Sequence, residues 1–280
     1  MAEAYITPTT AATWIPEVWS GELIVARESS LMMANLVKRF DADVVRFGDT
    51  IHVPLVSNLT AGNISTSDGS LDATAPTESE VQILIDKWKC CVINVLDISA
   101  AQSKYGFVEE YSGKIGYALG VIVEQDLLAL AAGLSVNKGT FNTNTITDQI
   151  LRDSVQALDD ARVPFSDRHL VVKPVIKNAI LGIDKFTRAD SVAYGKGESP
   201  IVRGNFGEIY GVMTHVTPEV YKTGNNTSNM MFHRDAFALA VQKNIKMEQF
   251  ARTSFTQRMG ASELYGVKEL RDDHGVEIRS

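Results

Sequence analysis

The spacing of apolar residues changes repeatedly along this chain, and each change predicts a different element. Residues 1–13 are small or polar and predict a flexible arm. Trp14-Ile15-Pro16-Glu17-Val18-Trp19-Ser20 then predicts a helix start, with Pro16 at an early position where its missing N–H costs nothing. Leu23, Ile24, Arg27, Leu31, Ala34 and Leu36 continue it at helical spacing to about Val37. Over residues 44–56 the period shortens to two, so that Ile51, Val53 and Leu55 share one face of a strand, after a turn or bulge at Gly48-Asp49. A second extended segment runs over residues 80–96: Val81, Ile83 and Ile85 alternate, and Cys90 to Leu96 is nearly all apolar. At about 3.3 Å per residue it would approach 50–60 Å, whereas strands average about five or six residues. Such a strand outruns one small domain, so its outer half is expected to project or to lie on a neighbour. The intervening residues 57–79 are mostly Ser, Thr, Asn, Ala, Asp and Gly with Pro76 and few apolar residues, and they offer no core. Long loops of this kind are functional or disordered. The length of the second arm favours a hairpin reaching onto a partner over a floppy surface hairpin.

Further on, Phe107, Val108, Tyr111, Ile115, Ala118, Leu119 and Ile122 recur at steps of three and four, and Leu130 extends the stripe to Gly133. From Gly106 this is a helix of roughly 40 Å at 1.5 Å per residue. Gly113, Gly116 and Gly120 lie inside it. Each costs about 0.5–1 kcal/mol relative to Ala, which points to close packing or a bend. Beyond residues 137–145 the pattern becomes mixed α/β. A helix is marked by Ile150, Leu151, Val155 and Leu158, a buried strand by Leu170-Val171-Val172, and a further helix opens at Pro174. A strand is expected near residues 211–217, and residues 230–241 read as a strand running into an apolar segment. The closing residues 265–280 read as two extended pieces about a turn at 272–275, a hairpin.

Composition narrows the function more than it alters this outline. The chain has 280 residues, 45% hydrophobic and 22% charged, ordinary values for soluble globular proteins. Its formal net charge of −7 argues against a sequence-independent grip on phosphate backbones, which needs a basic face. Cys90 and Cys91 are too few for a disulfide framework or a metal site. No basic stretch followed by an apolar run opens the chain, and Glu124, Gln125 and Asp126 interrupt the apolar residues 115–134. A soluble intracellular product is therefore expected, neither secreted nor in a membrane. The patterns Asn58-Leu59-Thr60 and Asn63-Ile64-Ser65 would mark glycosylation only in a secreted protein.

The search for chemistry predicts no catalytic, metal or cofactor site. His52, His169, His215, His233 and His274 show no i, i+4 pair, and neither Gly-x-Ser-x-Gly nor a phosphate loop occurs. Gly195-Lys196-Gly197 and Gly204-Asn205-Phe206-Gly207 lack a strand before and a helix after. Asp159 and Asp160 point about 100° apart on a helix and share no site. Asp126 is expected to pair with an Arg or Lys. Trp14, Trp19 and Trp88 are large anchors in the arm and hairpin, awkward in a monomer and natural at an interface. An α/β enzyme stands as the alternative from a different class; a ring-forming tail or adaptor protein is weaker still.

The order of parts resembles the major capsid proteins of tailed bacteriophages, with the Hong Kong ninety-seven-like fold. The resemblance is carried by Ile15-Pro16-Glu17-Val18-Trp19-Ser20, by Gly48-Asp49-Thr50-Ile51-His52-Val53-Pro54, and by Val95-Leu96-Asp97 leading through Ala101-Gln102-Ser103 into the long helix. Phe232-His233-Arg234-Asp235-Ala236-Phe237-Ala238-Leu239-Ala240 and Tyr265-Gly266-Val267-Lys268-Glu269-Leu270-Arg271 complete it. It implies an α+β fold with an N-terminal arm and helix (1–43), an extended loop (44–97) and a peripheral domain with a spine helix (98–136). An axial α/β domain (137–231) and a return to the peripheral domain (232–280) follow. It implies self-assembly into hexamers and pentamers of an icosahedral shell, without enzymatic activity or cofactor, around double-stranded DNA bound without sequence specificity. The partners implied are a scaffolding protein, a portal and a decoration protein. The location implied is the virion capsid, assembled in the host bacterial cytoplasm. Trp14, Trp19, Asn58, Asn63, Lys87 and Trp88 are the candidate inter-subunit contacts. Lys87 and Lys89 also lie where some members form a Lys–Asn cross-link, but no motif here fixes a partner. An encapsulin-like bacterial nanocompartment shell is the alternative within this fold.

Overall fold

A computed structural model describes residues 31–44, 48–56, 61, 64, 78–96, 107–141, 145–183, 207–250 and 256–280. The helical turns Met33–Leu36 (α1) and Asp41–Val44 (α2) flank a short strand, Lys38–Arg39 (β1). Strands Thr50–Val56 (β2), Glu78–Leu84 (β3) and Lys87–Leu96 (β4) lead to the long helix Phe107–Ala129 (α3), which a 3-10 turn extends to Gly133. Asn137–Gly139 (β5), Asp148–Asp160 (α4), Arg168–Val172 (β6) and Pro174–Leu181 (α5) follow. Then come Glu208–Ile209 (β7), Val212–Val216 (β8), Lys222–Thr223 (β9), Asn226–His233 (β10), Phe237–Phe250 (β11), Thr256–Glu269 (β12) and Gly275–Arg279 (β13).

The strands form three sheets. β2 and β3 pair as a two-stranded hairpin, in register from Thr50 opposite Leu84 to Val56 opposite Glu78. A four-stranded sheet has the order β1-β11-β12-β4, and its β11–β12 ribbon of 14 residues per strand is the longest pairing among the described residues. A seven-stranded sheet runs β5-β13-β10-β6-β8-β7, with β9 beside β10. The extended arm over 80–96 is thus two strands in two sheets, broken at Ile85-Asp86. Gly266 shows what makes room for the break: a Cβ there would stand 2.1 Å from the Leu84 carbonyl oxygen, so only glycine lets β3 cross so close above β12. The hairpin expected about residues 272–275 does not form. β12 belongs to the four-stranded sheet and β13 to the seven-stranded one, so the turn between them is a crossover. The closing segment 232–280 therefore divides between both sheets.

The long helix covers one face of the four-stranded sheet. Ile115 and Leu119 pack on Met259 and Ala261, and further along Val123, Leu127 and Leu128 join Met33, Phe232, Phe237 and Tyr265 in one cluster. From Tyr111 to Gly133 the helix is long and apolar enough to cross a membrane. Its residues Ile115, Leu119, Val123, Leu127 and Leu128 are buried in this packing, and Glu124 in its middle is buried on protein donors. Among its three glycines only Gly120 meets a close neighbour among the described residues, since a Cβ would lie 2.6 Å from Leu31 Cδ1. The second core lies between α4, α5 and the seven-stranded sheet, built on Leu151, Leu158, Leu170, Val172, Ile176 and Ile278. Beside it the buried guanidinium of Arg168 donates to the carbonyls of Val163 (2.6 Å) and Pro164 (2.8 Å) and to Asp159 Oδ1 (2.7 Å). The base of the β2–β3 hairpin rests on the other face of the four-stranded sheet, Ile83 and Ile85 against Ala238, Ala240 and Leu270.

Candidate assembly surface

β4 forms one edge of the four-stranded sheet and pairs only with β12 among the described residues. Strand alternation sends its neighbours Lys87 and Trp88 to opposite faces. Lys87 turns toward the helix, its Nζ 2.9 Å from Asp126 Oδ2, and Tyr265 donates its hydroxyl to the same oxygen at 2.6 Å. Asp126 thus has the lysine partner its place on an apolar helix demands. Burial, with Asp126 as the next cause, pushes the Tyr265 phenol well above its usual range. This network joins β4, β12 and the helix, and it occupies the Lys87 ammonium within the subunit.

Trp88 faces outward and is 73% exposed, Val92 on the same face is 42% exposed, and Cys90 between them is exposed too. Register sets Leu264, Ser262 and Arg258 of β12 beside Trp88, Cys90 and Asn94. Lys243 and Lys246 of β11 stand beyond them, with Lys243 Nζ donating to Ser262 Oγ at 3.1 Å. Arg258 Nε donates to Asn94 Oδ1 at 2.8 Å and stays exposed. The result is an apolar strip with three cations on a sheet face. The hairpin base covers this face near Gly266, and no described residue covers it further out. Among the described residues this edge strand thus lies beside exposed aromatic surface, the combination that favours association and that a chain staying alone protects.

Of the six candidate contact residues, Trp14, Trp19, Asn58 and Asn63 lie outside the described residues. Lys87 and Trp88 are adjacent, one bound inward and the other open. Sequence reasoning missed the cations Lys243, Lys246 and Arg258, which lie far from β4 along the chain. Met259, Ala261, Tyr265 and Val267 do alternate and could have revealed β12; the interruption is Glu263, an acid on the buried side.

Two histidine pairs lie on the seven-stranded sheet and its border. The facing ring nitrogens of His169 and His215 are 3.2 Å apart. Burial, then the charge of neighbouring His215, holds His169 down to about 4, and burial lowers His215 as well. The rings of His233 and His274 meet edge to face with centroids 5.8 Å apart. Among the described residues no group of three or more His, Cys, Asp or Glu side chains could hold a metal ion. The chemistry this surface supports is association.

No protein-family model and no curated protein matches the sequence. Solved structures do match, over nearly the whole chain. A chain from Mycobacterium phage Che8 matches with TM-score 0.82 at 23% identity, covering 95% of this chain and 97% of that one. The capsid structure of the cyanophage P-SCSP1u gives 0.76 at 18% identity, covering 96% and 93%. The mature capsid of bacteriophage PhiM1 gives 0.74 at 12% identity, covering 98% of both chains. At these identities the likeness is one of fold. The fold is α+β, of the Hong Kong ninety-seven-like capsid class.

Proposed function

We propose that this chain is a major capsid protein, which self-assembles as hexamers and pentamers into the icosahedral head of a tailed bacteriophage. The observation that carries the reading is a fold matched end to end in capsid structures, with both chains covered almost completely. The same match to capsid structures supports a structural role for the chain. The assembled shell encloses double-stranded DNA without reading its sequence. A scaffolding protein, a portal and a decoration protein are its partners, and the shell is assembled in the host bacterial cytoplasm. Residues 98–136 and the return segment 232–280 make the peripheral domain, and residues 137–231 the axial one.

The hairpin of one subunit reaches onto its neighbour, where Trp88 anchors the contact and Trp14, Trp19, Asn58 and Asn63 extend it. Charge supports the direction of reach. Residues 57–80 carry Asp68, Asp72, Glu78 and Glu80 and no Lys or Arg, while the open sheet face carries Lys243, Lys246 and Arg258. Burying arm and hairpin on neighbours would remove well over ~1,000 Å² per subunit, as in obligate interfaces.

Negative-stain electron microscopy of the purified chain, alone and co-expressed with neighbouring genes, tests the reading. Uniform polyhedral shells or hexameric capsomers are expected; a monodisperse small monomer under every condition sinks it. Deleting residues 57–79 is expected to leave a folded, soluble protein that forms no stable shells. Normal shells from that variant would remove the role given to the hairpin.

A further inference from the structure

The chain passes between the two large sheets at two short turns that lie side by side. β10 enters β11 through Arg234–Ala236, and β12 enters β13 through Asp272–His274. The turns are fastened together by one carbonyl: Ala236 O accepts from the amides of Leu270 (2.8 Å) and Arg271 (3.3 Å). His233 precedes the first turn and His274 closes the second; both are buried, and their rings pack at 75°. The backbone assigns the His233 tautomer. The amide of Asp235 donates to His233 Nδ1 at 3.2 Å, so Nδ1 holds a lone pair and the neutral ring carries its proton on Nε2.

We propose that His233 is a proton-sensitive fastener of this paired crossover, holding the two sheets in one relative setting while neutral and releasing the turn when it charges. Protonation puts an N–H on Nδ1, where it opposes the Asp235 N–H that it had accepted. The cap of the turn is lost, and two part-buried donors face each other. This requires only the atoms described, and it goes beyond any role in a shell.

Charged and titratable groups face this ring from every side. His274 and Asp273 belong to the closing turn; Arg234 and Asp235 belong to its own, with Asp235 Oδ2 3.9 Å from Nδ1. Lys38 of β1 reaches Asp235 at 3.1 Å, and Asp167 and Arg168 stand at the start of β6. Burial dominates and lowers the imidazole below its ordinary 6.5; Asp235 and Asp167 pull the other way, while His274 and Arg168 add to the lowering. A folded value below the unfolded one means that protons favour the loosened form. The fastening is complete above pH 6.5 and is lost as pH falls through the folded value.

Amide hydrogen exchange of the full chain, corrected for intrinsic rates, tests this at about pH 7.5 and about pH 5. At the lower pH the amides of Asp235, Leu270 and Arg271 are expected to exchange at least about tenfold faster, while those of β6 stay protected. His233→Asn places a carbonyl oxygen near the Nδ1 position and does not titrate, so it is expected to keep protection at both values. His233→Phe, with no acceptor, is expected to exchange fast at both. Wild-type protection that ignores pH overturns the proposal. So does an equal loss in His233→Asn, which would assign the effect to His169 or to another group. Should His233→Asn not fold, His233→Gln takes its place with the same two outcomes.

Discussion

Burying a carboxylate costs several kcal/mol unless its oxygens find donors. Glu124, 2% exposed in the middle of the long helix, finds three: the amides of Met32 (2.7 Å) and Met33 (3.1 Å), and the Thr217 hydroxyl (3.3 Å). It thereby caps the turn Met33–Leu36 from another element and ties it to the loop after β8. Replacing it by Ala strands at least two buried donors, each worth about 1–3 kcal/mol. Glu124→Ala is therefore expected to lose about 2–4 kcal/mol of stability, with Glu124→Gln nearer to about 1, measured as shifts in denaturant midpoint. Tyr265→Phe removes one donor from Asp126 but leaves Lys87 in place. A loss of about 1 kcal/mol is expected there, and no more.

At the level of elements, helices and buried strands were readable because their signals are local. Ile150, Leu151, Val155 and Leu158 carry helical spacing, Pro174 opens α5, and Leu170-Val171-Val172 is a short apolar run; α4, α5 and β6 stand where those residues put them. On the long helix the legible stripe was less accurate. Ile115 and Leu119 are buried, but the next turn turns Val123 inward, leaves Ile122 half-buried and exposes Tyr111 by 45%. Residues there are apolar on several sides, so only the sheet it packs against decides which are covered. The break between β3 and β4 was illegible for a similar reason. Alternation continues through Ile83 and Ile85, and the glycine that admits the crossing is Gly266, nearly two hundred residues further on. That crossing gives a prediction at this scale. Gly266→Val would put a branched side chain into the Leu84 backbone, which no rotamer relieves. It is expected to lift the hairpin base, cost on the order of 1–3 kcal/mol, and speed limited proteolysis near residues 84–86.

At the scale of the molecule, the proposed function gives the open sheet face and the acidic residues of 57–80 the contact between copies. Little of the candidate site was legible beforehand: Trp88 is an anchor visible in the sequence, but its cationic surround comes together only when β11 and β12 pair. Lys243 and Lys246 are exposed, so reversing both to Glu is expected to leave the melting temperature within a few degrees of the parent. Shells and capsomers should be missing from micrographs of that variant. The wild-type contact should weaken with salt, since the screening length falls from about 10 Å at 0.1 M to about 3 Å at 1 M. Assembly unaffected by both changes would leave the apolar strip alone as the contact.

The paired crossovers also set the order in which the chain can finish folding. β13 lies between β5 and β10, yet the whole β11–β12 ribbon is made between β10 and β13. During synthesis, two strands of the larger sheet must wait with a vacancy between them until residues 275–279 emerge. Distant pairings of this kind close late and slowly. The nascent chain thus stays incomplete in its larger sheet until almost all the described residues have been translated.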